Sequence, residues 1–285
     1  MTEFQIRATT AAEFATAVEW AAQEGWNPGH DDLAAFHAAD PDGFLMGFLN
    51  GEPITSISVV RYGAAFGFLG FYIARPDMRG RGYGWKTWQA GLRHLEGRTI
   101  GLDGVLDQQD NYRKSGFSFA GRNIRYSGSF ASISASADVT TQSMTPNMVD
   151  RIMAYDRPFF PDERCIFIRN WLLAAAAESR WSLAALSDGE IAGYGVIRAC
   201  REGFKIGPLF ANDRSIAETI IARLCQSLPD GAPITIDIPE PNIDAIAMAQ
   251  SLGFAPNFET ARMYKGSTPD LPIDRTFGIT TFELG

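Results

Sequence analysis

Two stretches far apart in this chain carry one pattern in different residues. Residues 102–117, LDGVLDQQDNYRKSGF, and residues 236–254, IDIPEPNIDAIAMAQSLGF, each read as a strand holding an aspartate (Asp103, Asp237). Each continues through an asparagine (Asn111, Asn242) into a helix closed by a Gly-Phe pair (Gly116 and Phe117, Gly253 and Phe254). Internal duplication is the economical explanation, and so long a period implies tandem domains rather than a solenoid. A length of 285 residues is what two such domains need.

The first half begins with a strand, EFQIRAT, and a helix from about Thr10 to Gly25 with Phe14, Val18 and Ala21 at helical spacing. A polar connection, GWNPGHDD, leads to a short helical patch ending at Asp40 and Pro41. GFLMGFLNGEPITSISVVRYG then reads as two strands joined at Asn50 and Gly51, with Ile54, Ile57 and Val59 as core candidates. AAFGFLGFYIA is apolar almost throughout, as a strand buried on both faces must be. Beyond it a helix buries Trp85, Trp88, Leu92 and Leu95. A short strand, RTIGLDGV, a short helix, and a pair of strands from Phe117 to Tyr126 complete this half.

The expected boundaries are therefore a first domain over 1–130, a Ser/Ala-rich linker or connecting strand over 131–141, and a second domain over 142–285. The second half repeats the order of elements and ends in a hairpin, GFAPNFETARMYKG.

Between the third strand and its helix stands RPDMRGRGYG, residues 75–84. Glycines there let backbone N–H groups face a ligand, and the first turn of the helix adds donors that have no internal partner. Such a turn is an anion site, suited to phosphate or pyrophosphate; its bland counterpart is a tight turn with arginines in solvent. The spacing is neither G-x-x-x-x-G-K-[ST] nor G-x-G-x-x-G, which removes the P-loop and the dinucleotide fingerprint.

Arg79, Gly82 and Gly84 match in register the pattern [QR]-x-x-G-x-[GA] that the GNAT superfamily of N-acetyltransferases carries after a strand, with Pro76 where that family usually has one. YRKSGF resembles its later motif Y-x-x-x-G-F through Tyr112, Gly116 and Phe117. The two motifs span roughly residues 66 to 120, and the order of elements extends the resemblance to both halves. The resemblance implies a mixed α/β fold, a largely antiparallel central sheet flanked by helices, in two tandem copies.

It further implies acetyl-CoA as co-substrate, without a metal. Tyr72, Ile73 and Ala74 on the strand, Arg79, Gly80, Arg81, Gly82, Tyr83 and Gly84 in the loop, and Asn111 on the next helix would hold it. A backbone N–H on the strand ending at Ala74 would polarise the thioester carbonyl. By resemblance Tyr112 is the acid that protonates the departing thiolate; read as a residue alone, it is equally a packed ring with a wet hydroxyl.

No acidic residue occurs in AAFGFLGFYIA, where some family members keep a glutamate as general base. Glu24, Trp26, His30 and Asp31 are then candidates for the acceptor side, because the loop between the first helices normally borders it. Asp103 either faces the cleft or caps a turn. Trp20 and Phe36 line a pocket or pack in the core. In the second half the corresponding loop, GPLFANDRSIAET, lacks the glycine pattern, and N-capping by Asn212 or Asp213 accounts for it. That copy is expected to be degenerate.

A formal charge of -8 disfavours nucleic acid or anionic membrane as the main partner. No window approaches about 18 consecutive apolar residues, and MTEFQIRATT lacks the character of a signal peptide, so a soluble cytoplasmic protein is expected. Cys165, Cys200 and Cys225 are expected as buried reduced thiols, and none lies in the first half, which removes a cysteinyl intermediate there. The expected activity is acetyl transfer to an amine of a small molecule or peptide in a ternary complex. A non-catalytic acyl-CoA-binding regulatory module is the alternative.

Overall fold

A computed structural model describes residues 3–129, 139–173, 179–226 and 228–285. The first half runs β1 (Phe4–Ala8), α1 (Ala11–Gln23), α2 (Asp32–Ala39), β2 (Phe44–Leu49), β3 (Glu52–Tyr62), β4 (Phe66–Ala74), α3 (Tyr83–His94), β5 (Thr99–Val105), α4 (Gln109–Lys114) and β6 (Ser118–Ser129). The second runs β7 (Thr140–Ser143), α5 (Val149–Asp156), α6 (Cys165–Leu172), β8 (Arg180–Ser187), β9 (Glu190–Ala199), β10 (Phe204–Ala211), α7 (Arg214–Cys225), β11 (Pro233–Pro239), α8 (Ile243–Ser251), β12 (Ala255–Lys265) and β13 (Thr276–Gly278).

Local chemistry explains the helix boundaries. Thr10 and Glu13 form a reciprocal capping box that starts α1. Asp213 accepts from the N–H of Ile216 at 2.9 Å and starts α7, as the sequence implied. The helices cover a sheet of, among the described residues, thirteen strands: twelve follow the path β1-β2-β3-β4-β5-β12-β6-β11-β10-β9-β8-β7, and β13 lies beside β10. Pairing is antiparallel except at β4–β5 and β10–β11.

The sequence expectation fails at the ends of the two halves. Each stretch read as a pair of short strands is one long strand, and β6 and β12 pair with each other. β12 therefore separates β5 from β6 of its own half, and β6 in turn pairs with β11. Strand alternation in sequence reports which face is buried, not which strand lies alongside, so either pairing reads the same.

The exchange ties the halves through the two aspartates of the repeat. Asp103 on β5 faces Arg262 on β12, bonded at 2.6 and 2.9 Å. Asp237 on β11 faces Arg125 on β6, bonded at 2.7 and 2.9 Å. Each aspartate is thus gripped by an arginine from the other half. Bidentate geometry of this kind fixes register as well as adding energy.

The core also crosses the boundary: Phe36 of α2 stacks on Trp171 of α6 with ring centroids 5.6 Å apart. Most of the stretch read as a linker, residues 131–138 of 131–141, lies outside the described residues. Cys200 and Cys225 are buried as expected, but Cys165 is exposed at the start of α6, where the apolar face of that helix turns inward through Phe167, Ile168 and Trp171. Among the described residues no helix is long and apolar enough to cross a membrane.

Candidate active site

β4 and β5 run parallel from Phe66 opposite Thr99 to Leu69 opposite Leu102, and there the ladder stops. Two residues on, Phe71 adopts φ +46°, the register with β3 shifts, and Ser56 Oγ donates to the Phe71 carbonyl at 2.8 Å. A left-handed conformation at a bulky residue costs roughly 1–2 kcal/mol. It is held by packing of the Phe71 ring against Phe14 and Phe36, with centroids 5.4 and 6.2 Å away.

The bulge turns the end of β4 away from β5 and opens a cavity of about 340 Å³. Arg75 bonds back to Ile54 at 3.0 Å. By strand alternation the N–H groups of Tyr72 and Ala74 then point the opposite way, toward the opening. These two backbone donors are free to meet a carbonyl oxygen.

At one end of this opening lies the glycine loop. Gly80 and Gly82 have φ +75° and +81°, and Gly82 is the N-cap of α3. A Cβ on either would meet no atom within 4 Å, so backbone conformation rather than crowding demands glycine there. The first-turn N–H groups of α3, on Tyr83 and Gly84, carry the positive end of the helix dipole. Arg81 is exposed. Arg79 bends inward instead: its Nε donates to the Ala74 carbonyl at 2.9 Å, and its guanidinium pairs with Glu24.

Tyr112 stands deeper, on α4. Its ring packs against Gly104 of β5, where any side chain would collide with it, and stacks on Trp88 at 5.5 Å. The residue is 9% exposed, lines the cavity, and its hydroxyl makes no hydrogen bond among the described residues. Burial, with Tyr72 nearby, pushes its pKa well up. The phenol is therefore a proton donor at neutral pH.

The structure brings Glu24, Trp26, Tyr72, Ile73, Ala74, Arg79, Asp103 and Tyr112 to one cavity. It does not bring His30 or Asp31 there. Gly29 bridges to Cys200, the His30 N–H bonds the Ala199 carbonyl at 3.1 Å, and Asp31 accepts from Ser179. The loop is thus pinned to the second half, where Asp32 binds Arg180 and Arg198 at 3.0 and 3.1 Å. Asn111 is exposed and donates to Gln108 at 2.8 Å, and it is Gln108 that lines the cavity. Asp103 reaches the wall with its carboxylate already taken by Arg262 and Asn123, so it neither caps a turn nor offers a free charge. Trp20 and Phe36 are packing residues of the main core.

Sequence reading missed the far wall altogether. Arg125, Phe258, Thr260, Phe282 and Glu283 close the cavity from β6, β12 and the C-terminal segment. No local motif marks them. The repeat gives a signal for Arg125 alone, eight residues past Phe117 as Arg262 is eight past Phe254.

Profiles of known families match both halves: "Acetyltransferase (GNAT) family" over residues 11–117 and "Acetyltransferase (GNAT) domain" over residues 152–278. A holothin acyltransferase from a Pseudoalteromonas species is 31% identical over 94% of this chain and 90% of its own length. Among solved structures, a putative acetyltransferase from Pyrococcus horikoshii superposes with a TM-score of 0.82 at 22% identity, over 99% of this chain and 96% of that one. A tandem GNAT protein from the clavulanic acid biosynthesis pathway covers 94% of this chain and all of its own, with a TM-score of 0.65 at 14% identity. By the full-length relative and the two matched domains, this chain belongs to the GNAT acyltransferase family as a tandem member.

Proposed function

We propose that this protein transfers an acetyl group from acetyl-CoA directly to an amine of a small molecule, in a ternary complex, at the cavity between β4 and β5. The observation that carries the reading is that one cavity is lined both by the strand end beside the glycine loop, Tyr72 to Ala74 with Arg79, and by Tyr112. The pyrophosphate would sit on the N–H groups at the start of α3. The pantetheine arm would run along the freed edge of β4, and the thioester carbonyl would meet the N–H of Tyr72 or Ala74. Tyr112 would give its proton to the departing sulfur. The halves would act as one unit, with residues 142–285 supplying all of the far wall but Arg125.

An acceptor of small size follows from that wall: the rings of Phe258 and Phe282, with Glu283 from the second half and Arg125 from β6, close the side along which an extended peptide would have to run. The name of the Pseudoalteromonas relative records acyl transfer to holothin; the reaction class is carried over, the acceptor is not. To test the reading, the protein is mixed with acetyl-CoA and a panel of primary amines, and free thiol is followed together with product mass. Stoichiometric thiol and acetylated amine are expected. Tight CoA binding with no acetylated product from any amine would replace the reading with a binding module.

A further inference from the structure

Three carboxylates line the cavity, and two are spent. Glu24 is paired with Arg79, and Asp103 with Arg262 and Asn123. The third, Glu283, is 7% exposed and makes no hydrogen bond or ion pair within 4.0 Å among the described residues. Its oxygens are not fully enclosed, so the carboxylate keeps a face open, and a group this buried that has no protein donor ordinarily meets a ligand or water.

Its position is fixed by the backbone. The Glu283 carbonyl lies against Gly70, the residue just before the Phe71 bulge, so closely that any side chain at Gly70 would strike it. Glu283 therefore sits at the point where β4 and β5 part. The segment around it is fastened on both sides: the Ile279 N–H bonds Asp237 O at 2.9 Å, and Tyr62 donates to the Leu284 carbonyl at 3.1 Å. Leu284 is fully buried.

We infer that Glu283 is the acceptor-side base, a carboxylate that binds the ammonium of a small amine and takes its proton, with the apolar or aromatic body of that amine held by Trp26, Phe258 and Phe282. The inference rests on the transfer reaction proposed above and supplies the base that β4 lacks. The nitrogen of an ammonium acceptor loses two protons in becoming an amide. Glu283 takes the first and passes it to water, and the free lone pair forms the C–N bond. As the C–S bond breaks, its electron pair goes to sulfur, which receives a proton from Tyr112, and the second nitrogen proton restores the phenol.

The groups facing Glu283 suit that role. Burial raises its pKa above the ordinary carboxylate value, while Lys205 of β10, Arg198 of β9 and Arg125 of β6 pull it down and Asp32 of α2 pushes it up. Upward wins, so the carboxylate titrates closer to neutrality than an exposed one. Above that point it is charged and able to accept a proton.

The test uses the full chain, Glu283→Gln, acetyl-CoA and 2-phenylethylamine as probe. With wild type, kcat/KM should be level from the titration of Glu283 up to that of the amine. The variant should lose about 100- to 10,000-fold at pH 7. It should then climb about tenfold per pH unit until the amine deprotonates unaided, which loss of packing alone would not produce. CoA affinity by calorimetry should be unchanged, and Glu283→Asp should restore the level profile at reduced rate. A wild-type profile in Glu283→Gln overturns the inference and leaves the transfer reading intact. If wild type transfers nothing, binding of the probe to the CoA-loaded protein decides. Binding that tightens from pH 5 to pH 8, with the dependence lost in the variant, supports the carboxylate site while the transfer reading falls. Equal binding by both proteins, or none by either, overturns the inference.

Discussion

The two halves of this molecule open the same seam in the sheet and treat it oppositely. β4 and β5 part after Leu69 and leave a cavity; β10 and β11 pair in parallel over Phe204–Ile206 and Ile234–Ile236, and then β13 moves in against Leu209 and Phe210. The inserted strand is firmly held. Phe277 is buried in the second core, and Asn242 donates to the carbonyls of Ile273, Asp274 and Thr276 at 2.9–3.2 Å. Asn242 is the repeat partner of Asn111, which in the first half is exposed and, among the described residues, binds with its side chain Gln108 and Lys114, at or beside its own helix. One duplicated position thus faces solvent in the open half and fastens the plug in the closed half. Just past the plug, the same segment delivers Phe282 and Glu283 to the open cavity. Closing one site and completing the other are consequences of one stretch of chain.

The contrast can be broken most severely at the glycine loop. Gly82→Glu should abolish CoA binding, because a carboxylate would enter an anion site whose backbone already needs φ +81°. Calorimetry on this variant and on Gly82→Ala separates charge from backbone strain; only the glutamate should remove binding altogether. Asp213→Gly at the matching turn of α7 should leave CoA affinity untouched.

Next in size is the exchange itself. Asp237→Asn leaves Arg125 buried without its anion and should cost about 3–5 kcal/mol of stability, read by denaturant unfolding at pH 7. Burial alone would raise the Asp237 pKa, but Arg125, Lys205 and Arg198 outweigh it and hold it below the usual range. The pair's contribution is then complete above the ordinary carboxylate pKa and fades as pH falls through the depressed one. The gap between wild type and variant should accordingly narrow below about pH 4.

Tyr112→Phe should lower kcat by about 10- to 1,000-fold with CoA affinity unchanged, since the proton it gives matters only in the transition state. An unaltered kcat where chemistry limits the rate would return the residue to packing alone. Smallest is Arg81→Ala. One exposed charge beside a phosphate is worth about 0.2–1 kcal/mol, so CoA should bind only a few-fold more weakly, and high salt should erase the difference.

What was legible in the sequence was what local chemistry writes there. The glycine loop needs positive φ, and an Asn212 or Asp213 cap was expected where Asp213 starts α7; Tyr112 was singled out by its motif instead. Partnership between strands was not legible. The residues of β6 and β12 alternate identically whether each doubles back or pairs with the other, and the choice is made by Arg125 and Arg262 finding aspartates more than a hundred positions away. Glu283 was invisible for the same reason: TTFELG carries no motif, and its meaning comes from lying on Gly70. The neighbourhood of His30 misled because the acceptor loop of a single domain borders a cleft, whereas here the second half already occupies that side.

The central claim, one open seam and one closed, predicts a number. Titrating the intact chain with CoA by calorimetry should give a stoichiometry of one, with binding lost in Gly82→Glu and kept in Phe277→Ala. Two sites per chain, or a single site that survives Gly82→Glu, would contradict the account.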